Sequence, residues 1–155
     1  MYGSLLLTGA TAYGRAGDRP GARVLLDEAR AAASRTGNRN DYESAFGSDQ
    51  VLMQTVDVEL VTENYVDALS VGTRMRPDAA LPLVARARHL SDIAMAHTRL
   101  GHDGPAFDTL VAMRNIAPSW MRYQSQPKEI VRELRERSCP PALREMAQQL
   151  GVLEA

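Results

Sequence analysis

Apolar residues recur at spacings of three and four along nearly the whole chain, and no stretch alternates with period two over a strand's length, so the pattern predicts an all-α protein. A first helix is expected from about Ser4 to Arg15, stopped by the turn composition of Gly17-Asp18, with Asp18 placed to cap the second. Pro20 sits in the tolerated first turn, and Ala22, Leu25, Leu26, Ala29 and Ala33 form one stripe that ends near Gly37. Gly37-Asn38-Arg39-Asn40-Asp41 reads as a turn, and Phe46-Gly47-Ser48-Asp49 as a break followed by an N-cap. Val51 to about Thr62 continues helically, and Val66, Leu69, Val71 and Met75 make a fourth helix. Pro77 and Pro82 bracket a loop. A fifth helix carries Ala87, Leu90, Ile93, Ala94, His97 and Leu100 and stops at Gly101. A sixth, Pro105 to Ile116, is closed by Pro118, and two more follow near Pro127–Arg137 and Pro141–Leu150. About eight antiparallel helices result, in a single domain covering 1–155.

The second and sixth helices share a frame. Gly17 lies five residues before Ala22 and Gly101 five before Ala106, and Ala22, Leu26, Ala29 recur as Ala106, Leu110, Met113. A middle unit is centred on Ala68, where Gly72 breaks the pattern. A small residue at Ala22, Ala68 and Ala106 lets paired helices approach closely. The frame is similar to a tetratricopeptide repeat, with hairpins at about 4–36, 49–76 and 83–117 and capping helices over about 127–150.

Ala16-Gly17-Asp18, Leu25-Leu26-Asp27-Glu28-Ala29, Asp41-Tyr42 with Ala45-Phe46-Gly47, Ala87-Arg88-His89-Leu90 and Ala147-Gln148-Gln149-Leu150-Gly151-Val152 together resemble one narrower family. They look like the C-terminal tetratricopeptide domain of actinobacterial XRE-type (helix-turn-helix) transcriptional regulators. Where such proteins often continue Phe-Gly-Pro-Thr-Asn-Val, this chain has Phe46-Gly47-Ser48-Asp49-Gln50-Val51. That family's helix-turn-helix has no counterpart before Tyr2. The resemblance therefore implies a sensor or oligomerisation half, without its DNA reader, that takes a protein or peptide ligand or forms a homodimer.

Composition narrows the chemistry. With 18 basic and 19 acidic residues the net charge is −1, which argues against direct nucleic-acid binding through bulk electrostatics. The single cysteine, Cys139, forms no intramolecular disulfide, and the opening residues lack a basic n-region and a long apolar run, so a cytoplasmic protein is expected. Every apolar run is interrupted by charge, so no membrane span is expected.

Leu5 to Gly14 superficially imitates a strand entering a dinucleotide-binding turn, but Tyr13 occupies the second glycine's place, so a helix packed through Gly9 and Ala10 is expected instead. His89, His97, His102 and Cys139 match no metal-ligand spacing, and His97 falls on the apolar stripe as a core histidine would. Residues 143–152 imitate the start of a helix-turn-helix but are read as a capping helix. No catalytic constellation, metal site or cofactor motif is present in the sequence, and no enzyme activity is expected.

The remaining candidate is a groove. In a tetratricopeptide frame the first helix of each hairpin lines the concave face, which here presents Leu7, Thr11, Gln50, Met53, Asp57, Arg88, Ser91 and Met95. Arg88 offers Asp57 or a ligand carboxylate a partner, and Met53 and Met95 suit adaptable apolar binding. The functional expectation is a protein- or peptide-binding module. The alternatives are a purely structural dimerisation scaffold and a small-molecule-binding protein or enzyme.

Overall fold

The computed structural model describes residues 2–36, 47–79 and 81–152. Among these the chain is all-helical, with nine helices and no strand. They are α1 (Tyr2–Arg15), α2 (Arg19–Thr36), α3 (Ser48–Val61), α4 (Tyr65–Gly72), α5 (Leu83–Arg99), α6 (Asp103–Ile116), α7 (Pro118–Arg122), α8 (Ser125–Arg137) and α9 (Pro141–Gln149). They fall into two compact units, Met1–Pro82 and Leu83–Ala155.

In the first unit α1 packs against α2, both pack against α3, and α3 packs against α4. The core joins Leu6, Leu7 and Ala10 of α1 to Ala22, Leu26, Ala29 and Ala33 of α2 and to Val51 and Val58 of α3. The stripe expected on the second helix is thus the buried one. Ala10 is fully buried, and a Cβ at Gly9 would come within 2.8 Å of Leu25 Cδ1, so α1 and α2 meet through small residues. Asp18 caps α2 as expected: the Gly21 amide donates to its Oδ1 at 2.9 Å.

The second unit packs α5 against α6 and α8, α8 against α9, and α6 against α7. Leu110 and Met113 of α6, Ile130 and Val131 of α8 and Met146 of α9 are fully buried. Arginines clip these helices together. Arg99 on α5 donates to Glu129 and Glu133 of α8, while Arg137 of α8 donates to Asp103 Oδ1 at 2.6 Å and to the Thr98 carbonyl at 3.0 Å.

Three hairpins close in the same way. Gly17 and Gly101 adopt φ of 80° and 77°, and the following amide reaches back across the turn, Asp18 N to Tyr13 O and His102 N to His97 O, both at 2.8 Å. This is a Schellman-type closure, which favours glycine at the left-handed position. The α3–α4 turn repeats it with Asn64 N donating to Glu59 O at 2.7 Å, but the left-handed residue is Glu63 (φ 63°). Five residues after each left-handed position stand Ala22, Ala106 and Ala68, all fully buried.

Several expectations need correction. There are nine described helices rather than eight, because Pro118 does not merely end α6: it is the first residue of α7, where its missing N–H costs nothing. The fourth helix stops at Gly72 rather than continuing through Met75, and the chain leaves it through tight turns, Arg74 N to Val71 O and Met75 N to Gly72 O. The break and N-cap read over Phe46-Gly47-Ser48-Asp49 do not say which residue caps α3. The cap is Gly47, and Asp49 lies buried in the first turn with Arg76 Nη2 3.1 Å from its Oδ2. The turn expected over Gly37 to Asp41 and the motif at Tyr42, Ala45 and Phe46 lie outside the described residues.

Candidate functional site

Five of the eight groove residues stand in the first unit. Leu7 is buried within the core rather than lining an open surface. Thr11 is half-buried, its Oγ1 shared between the Leu7 carbonyl at 3.0 Å and Gln54 Oε1 at 3.1 Å, which ties α1 to α3. On α3, Gln50 and Asp57 are half-buried and Met53 is buried, spaced so that the three share a face. Gln54 belongs with them, four residues after Gln50 and three before Asp57. The sequence reading missed it because nothing in the pattern distinguishes it from any other polar helix residue.

The other three stand on α5 in the second unit, at i, i+3 and i+7. Arg88 is exposed, while Ser91 and Met95 are buried. Ser91 Oγ has no hydrogen-bond partner among the described residues, and neither has Nδ1 of His89. Burial pushes the His89 pKa below its ordinary value.

The strongest electrostatic feature of the first unit went unread in the sequence. Glu59 on α3 is buried, and its carboxylate accepts from Arg19 (Nη2 to Oε2, 2.7 Å) and from Arg23 (Nη2 to Oε1, 3.1 Å), with Asp67 of α4 also bonded to Arg19. This cluster fastens α2 to α3 and α4. Every carboxylate oxygen of Glu59 has a partner, so its role is structural. The signal for it is present only in part: Glu59 stands between the apolar Val58 and Leu60, but the arginines that complete it lie 40 and 36 residues away.

The two histidines at the α5–α6 turn meet, with the Nδ1 atoms of His97 and His102 3.2 Å apart. Burial, and secondarily the neighbouring imidazole, lowers the His97 pKa. His97 is half-buried, not the core histidine that the stripe suggested. No group of three or more His, Cys, Asp or Glu side chains able to hold a metal exists among the described residues. Nor is any described helix long and apolar enough to cross a membrane.

No protein-family model, curated protein or solved structure matches this chain. Its chemistry therefore rests on its own side chains.

One concavity within the second unit was not anticipated. The C-terminal end of α6, the short α7 and the end of α9 line an open hollow of about 430 Å³, with Arg114, Pro118, Arg122, Gln148 and Gln149 around it and the buried Met121, Met146 and Leu150 behind them. Pro118, which begins α7, is among its lining residues.

Proposed function

We propose that this chain is a protein- or peptide-binding module of tetratricopeptide-like hairpins, the sensor or oligomerisation part of an XRE-type transcriptional regulator. The observation that carries the reading is the threefold recurrence of one hairpin design: a left-handed residue, a bond reaching back across the turn, and a fully buried alanine five residues on. A hairpin of this design packs its two helices closely through the small residue and leaves a face of its first helix for a ligand. On those faces Thr11, Gln50 and Asp57 in the first unit, and Arg88 in the second, supply hydrogen-bonding groups and charge, while Met53 and Met95 lie buried beneath them. A ligand, or a second copy of the chain, that prefers one packing of the hairpins shifts the population toward it, which is how such a module biases an attached or partner DNA-binding unit.

Peptide-library selection on the immobilised full chain tests this. The expected result is enriched peptides whose affinity falls about 10- to 100-fold on Arg88→Ala or Asp57→Ala, the loss of one hydrogen bond to a charged group. Failure to enrich any peptide, or unchanged affinity in both variants, contradicts it.

A further inference from the structure

His97 and His102 stand five residues apart, a spacing that puts side chains on different sides of a continuous helix, where neighbours are three or four apart. The turn at Gly101 cancels that separation: His97 lies in the last turn of α5, and His102 is the residue from which α6 starts. The ring centroids are 5.4 Å apart with the planes tilted by 52°, and the two Nδ1 atoms are 3.2 Å from each other. With one ring proton between them, this is an N–H···N hydrogen bond. The same spacing is what one metal ion asks of two imidazoles. For bonds of about 2.0–2.1 Å, nitrogens 3.2 Å apart subtend roughly 100–106° at the ion, close to the tetrahedral angle.

Access and charge fit an ion as well. His102 is exposed, as are Gly101 and Gly104, and nothing lies within 4 Å of a Cβ added at either glycine, so water can reach the turn and fill the remaining positions on an ion. Arg99 and Arg137, the cations beside the turn, are balanced by carboxylates: Arg99 donates to Glu129 and Glu133, and Arg137 to Asp103 and Glu133. Burial and the neighbouring ring lower the His97 pKa, which keeps that ring in the neutral form that ligates. Imidazole nitrogen suits Zn²⁺, Ni²⁺ and Cu²⁺, whereas Mg²⁺ and Ca²⁺ call for oxygen. We propose that His97 and His102 chelate a divalent transition-metal ion such as Zn²⁺ through both Nδ1 atoms, with water completing its shell, so that the ion fastens the end of α5 to the start of α6. On binding, the ring that donated through Nδ1 carries its proton on Nε2 instead, by exchange with water. This site is separate from the peptide-binding reading and does not depend on it.

The test is titration of the tag-free full chain with zinc chloride, followed by the imidazole resonances and by thermal melting. The His97 and His102 resonances are expected to shift while those of His89 stay in place, and the melting midpoint is expected to rise, because the ion binds the folded chain in preference to the unfolded one. Magnesium chloride is expected to do neither. His102→Gln removes an exposed ring and should fold as the parent does, yet bind zinc about ten-fold or more weakly, as should His97→Gln, since one imidazole does not chelate. The proposal is overturned if zinc moves neither histidine, if His102→Gln binds it as tightly as the parent, or if magnesium matches it. Loss of zinc binding in Cys139→Ser would place the ion at the thiol and overturn it too. Asp57→Ala and Arg88→Ala should leave zinc binding unchanged, which separates failure of this proposal from failure of the hairpin-face reading.

Discussion

His89 is 7% exposed, and its Nδ1 finds no hydrogen-bond partner among the described residues. Burial penalises the charged ring, so the folded pKa lies below the ordinary 6.5. Below about pH 6.5 the unfolded chain therefore binds more protons than the folded one. The resulting stability is fully present above that pH and is lost as the pH falls toward the depressed folded value. Urea midpoints measured from pH 7.5 to 5.5 should fall, and His89→Leu should flatten part of that fall; His97, shifted in the same direction, supplies another part. An identical fall in parent and variant would contradict this. At this scale the sequence misled in an instructive way. Of the stripe read on α5, Ala87 and Ala94 are fully buried, but Leu90, Ile93, His97 and Leu100 are only half-buried, while His89, Ser91, Asp92 and Thr98 are buried. Helix α5 packs against both α6 and α8, and a helix covered on more than one side buries polar positions that a single-stripe pattern assigns to solvent.

Turns that glycine marks are legible at the level of elements; turns that it does not mark are hidden. Gly17 and Gly101 announced two of the three closures, whereas the α3–α4 closure uses Glu63 at φ 63°. A non-glycine residue there carries strain that glycine relieves, so Glu63→Gly should stabilise the chain by about 0.5–1 kcal/mol even after its added unfolded-state entropy. Gly101→Ala should destabilise it by about 1 kcal/mol, because alanine must take the same left-handed conformation. Nothing lies within 4 Å of the Cβ added at Gly101, so the loss is one of backbone conformation and not of space. Chemical denaturation of both variants checks the pair, and shifts in the same direction would refute the common turn design. Pro118 shows the same limit from the other side: proline ends one helix and begins the next, and the period of the apolar pattern cannot separate the two. The Glu59 cluster was illegible for a different reason, since its parts come from α2, α3 and α4 and only folding brings them together.

For the whole molecule, the helical period was enough to give the all-α class, and the buried face of α2 and the three buried alanines were read at their correct positions. The division into the units Met1–Pro82 and Leu83–Ala155 was not, because the segment around Pro77 and Pro82 looks like any inter-helix loop. The hollow at Arg114 and Arg122 escaped notice because its walls come from α6, α7 and α9, three elements that no local spacing relates. The near-zero net charge of −1 fits the proposal of a partner-binding module and gives little electrostatic drive toward nucleic acid.

The central claim is that the first helices of the hairpins carry the ligand. Amide chemical-shift mapping of the isotope-labelled full chain with a selected peptide tests it most directly. The expected perturbations cluster on α1, α3 and α5 around Thr11, Gln50, Asp57, Arg88 and Ser91. Perturbations confined to α2, α4 and α6, or none at saturating peptide, would contradict it.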